Sequence, residues 1–127
     1  MPKSYKELIV WQKSMKLAEK VYLLVKALPR EETYALSDQI RRAAVSIPSN
    51  IAEGYARQSQ KEFLQFLCIA RGSRAELETQ LLLAQRLGYF CAVPQDLLES
   101  TMDLLDEISR MLYTLTSRLS NDESADC

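Results

Sequence analysis

Histidine is absent from this chain, and its absence excludes several classes of enzyme. Without histidine there is no Ser-His-Asp triad, no imidazole general base and no Glu-x-x-His ligand pair of the kind that di-iron bundles use. The sequence also contains neither GxxxxGK[ST] nor GxGxxG, so it has no recognisable loop for nucleotide phosphates. We therefore predict a protein that is not an enzyme, with no catalytic residues and no cofactor.

A metal-ligand pattern is missing as well. The carboxylates that could be considered are Glu53, Glu62, Glu76 and Glu78. Their spacing is that of any charged helix, so we predict no metal site.

Glycine, proline and long apolar runs are scarce. The chain has only three glycines and four prolines, and it is rich in leucine, alanine, glutamate, glutamine and arginine. This composition favours helix over sheet. No apolar run approaches the roughly 18 residues of a membrane span, and residues 1–11 lack the hydrophobic region of a signal peptide. We expect a cytoplasmic protein without a membrane partner.

Cysteine is also infrequent and irregularly placed. Cys68, Cys91 and Cys127 are odd in number, widely spaced and without a CxxC pair. Such a set argues against a disulfide framework. We expect small buried or incidental thiols.

Apolar periodicity and end signals predict four helices. A capping box formed by Ser4 and Glu7 begins the first helix, which runs to about Ala27. Ser37 is the expected N-cap of the second helix, which ends near Gly54 because glycine adopts the left-handed cap conformation. The first helix carries two apolar stripes, which makes its apolar face wider than a monomeric bundle requires. The first stripe consists of Leu8, Trp11, Met15, Ala18, Tyr22 and Val25, and the second of Leu17, Val21, Leu24 and Leu28.

The remaining signals complete the predicted fold. A second capping box at Ser59 and Glu62 begins helix three, which stops at Gly88, and Pro94 opens helix four, where a heptad-like leucine seam continues to Leu119. Short connections predict an all-α, antiparallel up-down-up-down four-helix bundle with a kinked second helix. We expect one domain over residues 1–120 and a short, frayed acidic tail over 121–127. The surplus apolar stripes on helices one and four predict a homo-oligomer.

Pro48 breaks the helical rule inside helix two. It lacks an N–H for the carbonyl of Ala44, at a cost of about 3 kcal/mol in an ordinary helix interior, and a kink is the expected result. Short polar side chains at Ser46, Ser49 and Asn50 could reach freed backbone groups. Two interpretations stay open, a tolerated surface kink and a kink that shapes an interface.

Helices two and three are predicted to form a hairpin in which residues whose numbers sum to about 115 lie level. Ala43 and Ala44 then face Gly72 and Ser73, and these small residues would let the two backbones approach closely. Around this crossing we expect a structural polar cluster of three side chains, Gln39, Arg42 and Glu76.

Charge is strongly polarised along the chain although the net charge is only −1. Residues 1–74 carry 13 basic and 7 acidic side chains, a net +6, whereas residues 75–127 carry 3 and 10, a net −7. Basic helices could simply pack beside acidic ones, or they could leave a basic face for phosphate. The candidate nucleic-acid contacts are Lys6, Lys13, Lys16, Lys20, Arg41, Arg42, Arg57, Lys61, Arg71 and Arg74. For each cation alone, a solvated helix surface is the simpler interpretation.

Several segments together resemble one protein family. They are residues 8–12, 28–29, 32, 39–54, 59, 61–63, 69–73 and 76–80, of which the proline-containing run 39–54 is the most specific. Through them the chain resembles the four-helix-bundle family of 23S rRNA intervening-sequence proteins, also labelled S23 ribosomal proteins. The resemblance implies a ring-like homopentamer of four-helix protomers, encoded in bacterial 23S rRNA genes or elsewhere in bacterial genomes.

The same family is similar to the accessory variability determinants of diversity-generating retroelements, which are pentameric and basic and associate with nucleic acid and a reverse transcriptase. This chain departs from them in its slightly acidic net charge. We expect a non-enzymatic homo-oligomer associated with RNA or DNA, or alternatively a protein-interaction scaffold that binds a protein partner without direct contact to nucleic acid.

Overall fold

A computed structural model describes residues 2–122 and Cys127, and it confirms the all-α prediction within that range. The helices are α1 Ile9–Val25, α2 Leu36–Ala56, α3 Gln60–Arg86 and α4 Gln95–Asp122, with short 3₁₀ turns at Tyr5–Glu7 and Arg30–Glu32. No strand occurs among the described residues. None of their helices is both long and apolar enough to cross a membrane.

The four helices of the protomer form a closed antiparallel bundle around one core. Each helix contacts its neighbours in sequence, and α1 also contacts α4, which closes the bundle. Every helix contributes fully buried aliphatic side chains, for example Leu17, Ile40, Leu67 and Leu105. Burying each such side chain contributes roughly 1.5–3 kcal/mol. The up-down-up-down topology is therefore held chiefly by leucine and isoleucine packing.

Two of the predicted helix ends are confirmed. The hydroxyl of Ser59 accepts a hydrogen bond from the Glu62 N–H at 3.2 Å, which caps the start of α3. At the other end, Gly88 has a φ of +82°, the left-handed conformation expected of it. The N–H groups of Gly88 and Tyr89 then donate to the carbonyls of Gln85 and Ala84, and this Schellman motif satisfies the last turn of α3.

Two predicted helix starts are wrong. Ser4 begins only a 3₁₀ turn, and α1 starts at Ile9 because Leu8 has an extended backbone. Ser37 is buried in the first turn of α2, which already begins at Leu36. Its expected capping role is taken in part by Glu32, whose carboxylate accepts a hydrogen bond from the Leu36 N–H at 3.4 Å.

The close approach of α2 and α3 lies at Gly54, not at Gly72 as the sequence suggested. Gly54 is buried inside α2, and a Cβ added there would lie 2.6 Å from the Cβ of Phe66. A Cβ added at Gly72 would meet no heavy atom within 4 Å. Since Gly54 is no cap, α2 continues to Ala56, and the left-handed backbone falls at Gln58 with a φ of 57°.

The register between α2 and α3 also differs from the predicted one. The Ser46 and Ser73 hydroxyls lie 2.7 Å apart, so residues whose numbers sum to 119, rather than 115, are neighbours. Asn50 joins this contact by donating from Nδ2 to the Ser46 carbonyl at 2.8 Å and to its hydroxyl at 2.9 Å. The contact lies beside Pro48, through which α2 runs without interruption. The predicted kink at Pro48 stays a prediction.

Cys68 and Cys127 are joined by a disulfide, with their Cα atoms 5.4 Å apart, which corrects the expectation of incidental thiols. The spacing of 59 residues gave no sign of this pairing, because antiparallel packing of α4 on α3 is what returns the chain end to Cys68. Cys91 is free and exposed. The predicted tail over 121–127 is helical as far as Asp122, and its residues 123–126 lie outside the described part of the chain.

Tyr89, in the link between α3 and α4, is tied to the link between α1 and α2. Its hydroxyl donates to the Glu32 carboxylate at 2.8 Å. That hydrogen bond, together with desolvation and the negative charges of Glu32 and Glu31, raises the pKa of Tyr89 above its ordinary value. Both links lie at the same end of the bundle, and this contact joins them.

Candidate assembly groove and charged surfaces

An open apolar groove runs between α1 and α2 beside Pro48. It has a volume of about 580 Å³, and we call it the α1–α2 groove. Three apolar side chains along it are substantially exposed, Met15 at 41%, Tyr22 at 46% and Val45 at 42%. The full lining is Tyr5, Trp11, Met15, Ala18, Glu19, Tyr22, Val45, Pro48, Ser49 and Ala52. Among the described residues, Glu19 is the one carboxylate that lines this surface.

The groove exists because α1 has more apolar positions than the protomer core can cover. The second predicted stripe, Leu17, Val21, Leu24 and Leu28, is buried in the core. Four residues of the first stripe, Trp11, Met15, Ala18 and Tyr22, lie along the groove instead. Val45 completes the surface from α2, and periodicity alone did not single it out.

The lysines of α1 face the acidic helix α4. Lys13 forms an ion pair with Glu107 at 2.6 Å, and Lys20 donates to the Ser100 hydroxyl at 3.2 Å. Asp103 lines the same surface. Of the two interpretations of the charge asymmetry, packing of basic beside acidic helices therefore describes this side of the bundle.

Most hairpin arginines are also engaged within the protomer. Arg57 lies between Glu53 at 3.1 Å and Glu62 at 3.5 Å. Its guanidinium also stacks 5.2 Å from the centre of the Phe66 ring. Arg41 donates to the carbonyl of Thr33 at 3.2 Å. Their charges are thus partly committed to intramolecular contacts.

The three side chains of the expected polar cluster line the same groove, but Arg42 makes its ion pair with a residue outside the cluster. Gln39, Arg42 and Glu76 line one surface cavity of about 420 Å³ between α2 and α3. The ion pair of Arg42, however, is made with Asp38, at 3.2 Å and one helical turn away. Arg42 stays largely exposed, and Glu76 is also exposed.

The ten predicted cations do not form one continuous basic face. Lys13 and Lys20 lie toward α4, Arg57 lies at the link between α2 and α3, and Arg42 lies on α2. Lys6, Lys16 and Lys61 are exposed, and within the described part of the chain none of these three forms an ion pair. Lys16 nevertheless lines the same α1–α4 surface as Asp103 and Glu107, so Lys6 and Lys61 are the more available of the three to an external anion.

Arg71 and Arg74 lie along a second groove, between α3 and α4, with a volume of about 430 Å³. Arg71 donates to the Thr116 hydroxyl at 3.4 Å and lies over the Tyr113 ring at 5.7 Å. Arg74 contacts Glu78 at 3.4 Å, while its Nη1 is buried without a hydrogen-bond partner among residues 2–122 and Cys127. The other described residues that line this α3–α4 groove are Cys68, Gly72, Ala75, Ser109 and Cys127.

Known proteins share this architecture and parts of this sequence. The profile of the 23S rRNA-intervening sequence protein family matches residues 6–114 of this chain. A crystal structure of a protein of unknown function from the S23 ribosomal protein family of Bacteroides thetaiotaomicron is similar, with a TM-score of 0.73 and 31% sequence identity. The similarity covers 85% of this chain and 98% of that protein. No curated protein matches the chain.

Proposed function

Because the chain belongs to the 23S rRNA-intervening sequence protein family, we propose that it acts as a non-enzymatic, homo-oligomeric four-helix bundle associated with nucleic acid in the cytoplasm. The observation that carries the proposal is the exposed apolar α1–α2 groove. A second copy of the chain is its proposed occupant. The resemblance implies a closed ring of five such copies.

The chemistry of the groove favours a protein surface as its occupant. Met15, Tyr22 and Val45 together with Trp11 and Pro48 present aliphatic, aromatic and thioether groups in one place. Aromatic residues and methionine are enriched in the cores of protein interfaces, where charged groups are depleted. Covering this surface would stabilise an assembly by about 25 cal/mol for each Å² of apolar area removed from water.

Assembly would also change the electrostatics of the protomer. Lys6, Lys16 and Lys61 alone make a weak anion-binding surface, since the other predicted cations are mostly paired. Repeating three unpaired cations around a symmetry axis gives several phosphate contacts that engage together. In the proposed function, nucleic-acid binding therefore depends on assembly.

Met15→Glu is expected to weaken self-association by more than about tenfold, because the interface would bury an unpaired carboxylate. The side chain of Met15 is 41% exposed in the protomer, so the fold should tolerate the change. Leu23→Glu is the matched control, since Leu23 is 52% exposed on the same helix and outside the groove. Light scattering gives the mass of each variant. A monomeric wild-type protein, or equal dissociation of both variants, would overturn the assembly proposal.

The nucleic-acid proposal predicts that affinity for RNA or DNA falls steeply as salt rises, because each phosphate contact releases condensed counterions. Lys61→Gln is expected to weaken binding and to reduce the salt slope by about 1, since one exposed lysine would no longer neutralise a phosphate. Lys13→Gln should change both much less, because Lys13 is already paired with Glu107. The measurement is fluorescence anisotropy of a labelled oligonucleotide over a salt series. An assembled protein that binds nothing at low salt would contradict the proposal.

A protein-interaction scaffold without direct nucleic-acid contact is the second candidate. It is favoured by the ion pairs that Lys13, Arg42, Arg57 and Arg74 make within the protomer. An oligomer that shows no salt-dependent binding of RNA or DNA would fit this candidate. In that case the ring would serve to repeat one partner-binding surface.

A further inference from the structure

Arg74 has a hydrogen-bonding group that the protein leaves without an acceptor. Its side chain is only 13% exposed, and Nη1 is buried with no hydrogen-bond partner in the part of the chain that the structure describes. Buried polar atoms are nearly always hydrogen-bonded, so an unpaired guanidinium N–H requires a physical explanation. An anion bound in the α3–α4 groove would supply the acceptor.

The neighbouring arginine is similarly under-used. A guanidinium has five N–H donors, yet among the described residues Arg71 makes one side-chain hydrogen bond, to Thr116 at 3.4 Å. Arg74 reaches one carboxylate, Glu78, also at 3.4 Å. Both contacts are long for charge-assisted hydrogen bonds, which normally lie near 2.7–2.9 Å. The two side chains therefore retain donors for a ligand with several acceptor oxygens.

The surface between these arginines is open and made of small residues. Gly72 has no heavy atom within 4 Å of the position that a Cβ would occupy, and Ala75 lies one turn further along α3. Ser109 adds a hydroxyl from α4. This combination leaves space for a tetrahedral oxyanion between two guanidinium groups and a hydroxyl donor.

We propose that the α3–α4 groove binds a phosphate group through Arg71 and Arg74, with the Ser109 hydroxyl as a further donor. Arginine suits this ligand because its planar fork pairs with two phosphate oxygens at once. The phosphate could come from free inorganic phosphate or from a nucleic-acid backbone. Only the nucleic-acid source rests on the proposed function.

The test is a titration of the oxidised full chain with inorganic phosphate, followed by NMR chemical shifts or calorimetry. Saturable binding is expected for the wild-type protein, with a loss of about tenfold or more in Arg74→Gln and Arg71→Gln. Arg42→Gln is the matched control, because Arg42 lies outside the groove and is 81% exposed. No saturable binding by the wild-type protein, or equal loss in all three variants, would overturn the site.

Gly72→Leu keeps both arginines and fills the space between them, so it separates a shaped site from diffuse attraction. We expect it to weaken phosphate binding while the protein stays folded, since the added side chain meets open space. Unchanged binding in this variant would also overturn the proposal.

Competition by a short oligonucleotide then distinguishes the two sources. Displacement of phosphate by the oligonucleotide assigns the site to a nucleic-acid backbone. Phosphate binding without displacement assigns it to the free ion, and the site then stands even if the proposed function fails. Salt-dependent oligonucleotide binding that Arg71→Gln and Arg74→Gln leave unchanged, with no phosphate binding, refutes the site and retains the proposed function.

Discussion

Gly54→Ala is expected to lower the free energy of unfolding by about 2 kcal/mol, although alanine is the better helix former. The new methyl group would lie 2.6 Å from Phe66 Cβ and 3.3 Å from ring atoms of Phe63 and Phe66. Phe66 Cβ is attached directly to the backbone, so α2 and α3 must move apart to relieve the overlap. The cost of overpacking, about 1–3 kcal/mol, then exceeds the gain in helix propensity. Urea unfolding measures the difference.

Gly72→Ala is the matched control and should change stability in the opposite direction. Both glycines lie inside helices, but the added methyl group at position 72 meets nothing within 4 Å. The variant should therefore gain about 1 kcal/mol from helix propensity alone. Equal signs for the two substitutions would show that Gly54 does not set the distance between the helices.

Breaking the Cys68–Cys127 disulfide is expected to lower the free energy of unfolding by about 3–4 kcal/mol. The bond closes a loop of 59 residues, and its loss restores the conformational freedom of that loop in the unfolded chain. Denaturant unfolding of the oxidised protein with and without a reductant measures the effect. Reduced and oxidised proteins that unfold at the same denaturant concentration would contradict it.

Two variants separate the disulfide from other effects of reduction. Cys127→Ser should reproduce the loss in the absence of reductant, because it removes one half of the bond. Cys91→Ser should leave stability unchanged, because Cys91 is free and exposed. Equal behaviour of the two variants would mean that the bond does not stabilise the fold.

Sequence patterns predicted the fold class and topology because those depend on signals that act over a few residues. The number of helices follows from apolar periodicity, and the cap at Ser59 and the left-handed stop at Gly88 are local geometry. Ser37 failed as a cap because Glu32, from the preceding turn, reaches the start of α2. Gly54 failed as a stop because its small size is needed against Phe66. In both cases a contact with another residue, Glu32 in the first and Phe66 in the second, outweighed the end signal of the residue itself.

The candidate sites were predictable to different degrees. The two stripes of α1 indicated a surplus apolar surface, although not which stripe would remain exposed. Charge counts left two interpretations open, and the pair of Lys13 and Glu107 follows the one in which basic helices pack beside acidic ones. The α3–α4 groove was not predictable as a site, because Ser109 and Cys127 join Arg71 and Arg74 only after α4 packs on α3. Residue spacing along the chain does not give the axial register of two antiparallel helices, so it does not predict which of their residues come into contact.

The hydrogen-bonded group of Ser46, Asn50 and Ser73 has a consequence for folding specificity. A slip of one helical turn between α2 and α3 would shift their contacts by about 5.4 Å and would move Gly54 away from Phe66. Such a slip would separate the two hydroxyls that now lie 2.7 Å apart. Ser73 is the buried member of the group, and leaving its hydroxyl without a partner would cost about 1–3 kcal/mol. The Ser46–Ser73 contact, which Asn50 supports from within α2, thus adds to the Gly54–Phe66 contact in favouring one register of the hairpin.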